Sequence, residues 1–181
     1  MGLKPHLICE PLMVRHRGPT LVDTNVILES WRVGAWRALS SGYRIETVEN
    51  CVIETQTGYQ RRRVEQQVDN GILCKSLGAI HRVDNRELAM VKERAPDIDL
   101  DGGEHALWAH ALTRSDDWIL CGPDRASLRV GVRLGFRERL VSLETLLHGT
   151  GYRSKQPLRM NYTAAWLSQA LNEMIISEHP R

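Results

Sequence analysis

The chain has 181 residues, 42% hydrophobic and 25% charged, which is the balance of an ordinary globular protein long enough for one full core. Its 24 basic and 22 acidic residues leave a net charge of +2, so a nucleic-acid partner is neither demanded nor excluded, and local clusters must decide. No apolar run approaches a membrane span, residues 1–10 do not read as a signal peptide, and Cys9, Cys51, Cys74 and Cys121 form no C-x-x-C pair; a cytoplasmic protein with no membrane partner, disulfide framework or zinc ribbon is expected.

In chain order, residues 1–18 read as an N-terminal extension with a short strand at 12–14. A strand at about 20–23 follows, then a helix over 26–40 on the spacing of Ile27, Trp31, Gly34/Ala35 and Ala38, stopped by Ser41-Gly42. Residues 44–48 alternate as a second strand. A second helix is expected over 50–68, polar and basic in its later half, with Asp69-Asn70-Gly71 as its stop. Residues 72–77 give no assignment. A third strand at 79–83 leads through Asp84-Asn85 to a helix over 86–94 that Pro96 terminates. The strongest helical pattern covers 104–113. A fourth strand at 118–121, a helix over 125–131, a fifth strand at 139–143 and a helix from 143 to 147 complete the alternation.

Strands alternating with helices predict an α/β fold, an α/β/α sandwich around a mostly parallel sheet, over residues 19–148. Residues 149–159 read as a linker. Residues 161–178 read as an amphipathic helix with Trp166, Leu167, Ala170, Leu171, Met174 and Ile175 on one side, so 149–181 forms a C-terminal unit.

Four acids stand at structural punctuation. Asp23 follows the first strand, Glu54 lies early in the second helix, Glu104 opens a helix after Gly102-Gly103, and Asp124 follows the fourth strand. Each has an ordinary reading. Asp23 and Asp124 suit helix caps or turns, Glu54 an exposed helix face, and Asp101 with Glu104 a capping box. Together they can reach one edge of a parallel sheet, where ligands of such sheets bind. Two carboxylates 4 Å apart at surface-like dielectric repel by about 4 kcal/mol, and a hard cation such as Mg²⁺ or Mn²⁺ relieves that repulsion.

Leu21-Val22-Asp23-Thr24-Asn25-Val26, a helix-borne Glu54, Gly103-Glu104-His105-Ala106-Leu107 and Ile119-Leu120-Cys121-Gly122-Pro123-Asp124 resemble, in order and spacing, the PIN domain family of nucleases, which includes toxins of bacterial and archaeal toxin–antitoxin pairs. The resemblance covers about residues 20–148. It implies an endoribonuclease that uses Mg²⁺ or Mn²⁺ to activate water against RNA phosphodiester bonds. It makes Asp23, Glu54, Glu104 and Asp124 the metal-binding acids, with Asp101 as second choice to Glu104, and has Asn25 orient Asp23 or a water. Arg61, Arg62 and Arg63, placed beyond Glu54 on one helix, are expected to hold RNA phosphates, with a solvated helix face as the plain alternative. Expected partners are an RNA substrate, an antitoxin protein and a second copy of the chain. The competing expectation is a catalytically degraded PIN-like module that binds RNA or protein as a scaffold.

Other chemistries fit less well. Asp97-Ile98-Asp99-Leu100-Asp101-Gly102 resembles the start of an EF-hand loop, but Trp108 stands where a bidentate Glu belongs. His105 and His110 lack the H-E-x-x-H pattern and read as packing or surface residues. A phosphorylated receiver domain needs a Lys that Gly122-Pro123-Asp124 does not supply, and a haloacid-dehalogenase-type site wants a second Asp where Asn25 stands.

Overall fold

Four short strands lie at the centre of the computed structural model, which describes residues 15–178. They are β1 (Pro19–Val22), β2 (Arg44–Val48), β3 (Ala79–His81) and β4 (Ile119–Cys121). All pair in parallel, in the order β3-β2-β1-β4. The expected strand at 12–14 lies outside the described residues.

Among the described residues the α-helices are α1 (Thr24–Arg32), α2 (Trp36–Gly42), α3 (Glu49–Gln56), α4 (Asn70–Ser76), α5 (Asn85–Arg94), α6 (Gly102–Thr113), α7 (Arg125–Arg133), α8 (Leu143–Thr150) and α9 (Ala164–Glu178). Successive strand residues point to opposite faces. Leu21, Val48 and Leu120 therefore enter one apolar cluster with α5, α6, α7 and α9. Val22, Ile45 and Cys121 enter the other with α1, α2, α4 and α8. The result is the expected α/β/α sandwich, and both sheet faces are covered, as an all-parallel sheet requires. Among the described residues no helix is long and apolar enough to cross a membrane.

The strand order sets which strand ends share an edge with Asp23. The chain runs from β1 outward to β2 and β3, then crosses back to lay β4 on the other side of β1. The connections leaving β1 and β4 thus diverge, and it is at such a switch point, outside the carboxyl ends of the strands, that parallel sheets bind ligands. Asp23 and Asp124 are the first residues after these two strand ends to cap a helix.

Several expected elements differ. The helix expected over 26–40 is two helices. Gly34, at φ 69°, accepts a left-handed conformation that a side chain resists. Its N–H donates to Trp31 O, and Ala35 N–H donates to Ser30 O, the paired bonds of a Schellman stop. The helix expected over 50–68 ends at Gln56, followed by two short 3₁₀ turns. Arg62 folds back and donates to Thr55 O and, at 2.9 Å, to Glu54 O, taking carbonyls that a continuing helix would have used. Of residues 72–77, unassigned from sequence, 72–76 belong to α4, which Asp69 caps through Ile72 N at 2.8 Å, and Leu77 is its extended C-cap.

The fifth strand is reduced to one bridge between Leu120 and Leu140. Ser142 caps α8 through Thr145 N, so helix begins before a ladder can extend. The C-terminal helix buries Leu167, Ala170, Leu171 and Met174 in the first cluster, within this chain. Residues 149–159 are tied down as well. Tyr152 donates to Val33 O at 2.9 Å, Arg32 to Pro157 O at 2.8 Å, and Arg159 N to Glu29 Oε1 at 2.9 Å.

Candidate functional site

The first turn of α1 sets the site's centre. Asp23 caps that helix by accepting from Val26 N at 2.8 Å through Oδ1. The capping reading is therefore correct for this residue, but it uses only one oxygen. Asp23 is 3% exposed, and its Oδ2 is buried without a hydrogen-bond partner. Burial pushes its carboxyl up to about 7, and the charges of Asp101, Asp124 and Glu54 push in the same direction.

The other acids surround it from three helices. Asp101 caps α6 through Glu104 N at 2.8 Å. Asp124 caps α7 through Ala126 N at 2.7 Å and Ser127 N at 3.1 Å. Glu104 lies in the first turn of α6 and is 6% exposed. Burial pushes its carboxyl up to about 8, with Asp124, Asp101 and Asp23 adding repulsion. Glu54, on α3, accepts from Thr24 Oγ1 at 2.5 Å through Oε2. The fold thus brings Asp23, Glu54, Glu104, Asp124 and Asp101 into one another's electrostatic field at the carboxyl edge of the sheet. Asn25 is exposed beside them on the first turn of α1, and its carbonyl accepts from the Tyr162 hydroxyl at 3.2 Å.

The close approach of α3 to α6 depends on Gly103. A Cβ there would sit 2.5 Å from Glu54 Oε2. Because the atom met is the tip of a flexible side chain, Gly103→Ala should fold within about 1 kcal/mol of wild type, helped by the better helix propensity of Ala. Its effect should fall on the position of Glu54. Expected is a melting temperature close to wild type together with a clear loss of the Mn²⁺-induced thermal shift; an unchanged shift would show that Glu54 has no part in binding an ion.

Arg61, Arg62 and Arg63 are not on α3, so the expected reach along one helix is corrected. Arg62 is held against the C-terminus of α3. Arg61 and Arg63 are exposed on the turns that follow.

A second polar group escaped the sequence reading. Glu46, in the middle of β2, is fully buried. Its Oε1 accepts from Arg44 Nε at 2.6 Å; its Oε2 accepts from Arg114 Nη1 at 2.9 Å and lies 2.8 Å from His81 Nε2. Burial alone raises its pKa, but the bonds from His81 and Arg44 and the charge of Arg114 hold the carboxyl below its ordinary value. His110, on α6, stacks on His81 with centroids 3.8 Å apart. Burial, then the charges of His81 and Arg114, push His110 down to about 4. The available signal was an acid in the middle of a strand, among the β-branched Ile45, Thr47 and Val48. Among the described residues, the group of three His, Cys, Asp or Glu side chains whose ligand atoms all lie within 4.8 Å of one another is Glu46, His81 and His110. The acids around Asp23 are more loosely spaced. An ion among them would be held directly by one or two of these carboxylates and by the others through water, the usual habit of Mg²⁺.

Comparison of the chain with protein-family models, with curated proteins and with solved structures finds no match.

Proposed function

We propose that the chain is a cytoplasmic, divalent-metal-dependent endoribonuclease whose site lies at the carboxyl ends of β1 and β4. The observation that carries this reading is the buried, unpartnered Oδ2 of Asp23 amid the charges of three further acids. A fold keeps such an arrangement at a cost, and a cation removes that cost. The donors are all oxygens, which fits Mg²⁺ or Mn²⁺. Asp23, Glu54, Glu104 and Asp124 would hold the ion, with Asp101 beside Glu104. Once bound, the ion supplies a water of lowered pKa and neutralises charge on a scissile phosphate.

The protein's own groups do the positioning. Val26 N fixes the rotation of the Asp23 carboxylate, and Thr24 fixes that of Glu54. The amino ends of α1, α6 and α7 all meet at this edge, so their dipoles favour a phosphate group there. Exposed Arg61 and Arg63 can take further phosphates. RNA as the substrate, and an antitoxin or a second copy of the chain as partner, rest on the resemblance to PIN domains. The bond from Thr24, the neighbour of Asp23, to Glu54 supports an enzyme over a degraded scaffold, which would have no reason to keep Glu54 turned inward.

The test is cleavage of single-stranded RNA by purified protein with Mg²⁺ or Mn²⁺. Activity should vanish in EDTA and in Asp23→Asn. It should persist in Asp117→Asn, because Asp117 precedes β4 at the opposite edge of the sheet and is 84% exposed. Metal-independent cleavage, or an active Asp23→Asn, would overturn the proposal.

A further inference from the structure

Glu46, His81 and His110 come from three separate elements, β2, β3 and α6. Their ligand atoms all lie within 4.8 Å of one another. A carboxylate with no exposure must have its charge balanced from within the protein. Here the balance comes from Arg114, on its flank, and from Arg44.

The way Arg114 sits identifies the place as a cation position. Its Nη1 donates both to Glu46 Oε2 at 2.9 Å and to His110 Nε2 at 2.8 Å. A guanidinium has only donors, so His110 Nε2 must present a lone pair. His81 Nε2 lies 2.8 Å from the same carboxylate oxygen. One positive nitrogen thus touches one carboxylate oxygen and one imidazole nitrogen, and a second imidazole nitrogen reaches the same carboxylate oxygen. The rest of the guanidinium is anchored elsewhere. Its Nε and Nη2 bind Asp116 Oδ1 and Oδ2 at 2.8 and 2.5 Å. Arg114 can therefore release Glu46 and His110 while keeping its bidentate partner.

We propose that Glu46, His81 and His110 form a second metal site, taking a borderline divalent ion of the Zn²⁺ class in exchange for the Nη1 group of Arg114. Two imidazoles and one carboxylate select Zn²⁺, Co²⁺ or Ni²⁺ over Mg²⁺, and three protein ligands leave a coordination position open. Entry needs the stacked histidine rings, 3.8 Å apart, to splay. It is reached from the β3 edge, where the His81 side chain is 26% exposed. The site is distinct from the acidic one. His110 lies six residues beyond Glu104 on α6, about 9 Å along the helix, and the donor chemistry differs.

The test is titration of the metal-free protein with Co²⁺, read by visible ligand-field absorption, followed by displacement with Zn²⁺. Wild type should bind one Co²⁺ with the intense band of a nitrogen-containing, low-coordinate site, and excess Mg²⁺ should leave the band unchanged. His81→Ala and His110→Ala should each weaken binding by more than about a hundredfold, beyond the ten- to hundredfold typical of losing an outer-shell partner. Arg114→Gln should bind at least about tenfold more tightly, because the competing cation is gone. Melting curves of each variant confirm that it folds; should Arg114→Gln fail to, wild type and the two histidine variants still decide. No intense band in wild type, or a band that survives both histidine substitutions, would overturn the proposal. A band in Arg114→Gln alone would overturn it too, by making Arg114 the permanent occupant.

Discussion

In EDTA at pH 8, Asp23→Asn is expected to melt above the wild type. The Asp23 carboxyl is pushed from its ordinary value of 3.8 up to about 7. Below pH 3.8 it is protonated in both folded and unfolded chains and has no differential effect. Between 3.8 and 7 the folded state holds a proton that the unfolded state releases, so stability falls as pH rises, and above 7 the loss is complete. A shift of about three pH units corresponds to at most about 4 kcal/mol. Asn keeps an oxygen for Val26 N and caps helices as well as Asp does. It also turns an unpartnered oxygen position into a donor facing carboxylates.

For a chain of this length each kcal/mol moves the midpoint by about 2–4 °C, so a rise of roughly 5–10 °C is expected. The gain should disappear below about pH 4, where the wild-type carboxyl is itself neutral. Mn²⁺ should raise the wild-type midpoint, by about 2.7 kcal/mol at one hundred times Kd, and should raise the variant's much less. Equal Mn²⁺ shifts in the two proteins, or a metal-free variant less stable than wild type at pH 8, would remove the acidic site from consideration as a metal site.

Glu29→Ala should have the opposite sign and a similar size. Glu29 lies on α1, is 1% exposed, and receives Arg32 through Nη2 at 2.5 Å and Nε at 2.8 Å. Arg159 N donates to it at 2.9 Å from the segment that precedes α9. Truncation leaves a half-buried guanidinium and a backbone N–H without their carboxylate, the situation that typically costs about 3–5 kcal/mol. The midpoint should drop by about 10 °C, and proteolysis within residues 149–159 should accelerate, since Glu29 ties that segment to α1. A loss below about 1 kcal/mol would mean that Arg32 finds equivalent partners in Gln156 and Pro157 O.

The two groups together shape the pH profile of the metal-free protein. Burial raises the Glu29 carboxyl, but the bonds from Arg32 and Arg159 outweigh it and hold the group below its ordinary value of 4.5. Its stabilisation is therefore present above 4.5 and lost as pH falls through the folded value. Glu46 behaves in the same way. Asp23 and Glu104 act in the other direction as pH rises. Stability without metal should peak near about pH 5, and Mn²⁺ should shift the peak upward.

Local pattern was enough for the elements that depend on local causes. The apolar runs at β1 and β4 and the alternation at β2, each followed by a helical pattern, dictate a parallel α/β sheet whatever the strand order. The caps at Asp84, Asp101 and Asp124 were legible because a short acid before a helix bonds its own next residues. The acids at the strand-to-helix passages were legible for the same reason, since parallel connectivity sends every such passage to one edge.

What depends on distant partners was not legible. Residues 139–143 have the composition of a strand, but only Leu140 meets β4 before Ser142 starts a helix. The end of α3 rests on Arg62 returning to its carbonyls, which no periodicity encodes. That the second oxygen of the Asp23 cap is buried without a partner depended on tertiary packing, which no local pattern around Asp23 encodes. Glu46 and His81 stand 35 positions apart, joined only because β2 and β3 pair in the register that sets Val48 beside His81. Helix periodicity and capping are set by bonds within a few residues. Strand order, register and burial are set by which surfaces pack, and those decided which polar groups of this chain share a charge.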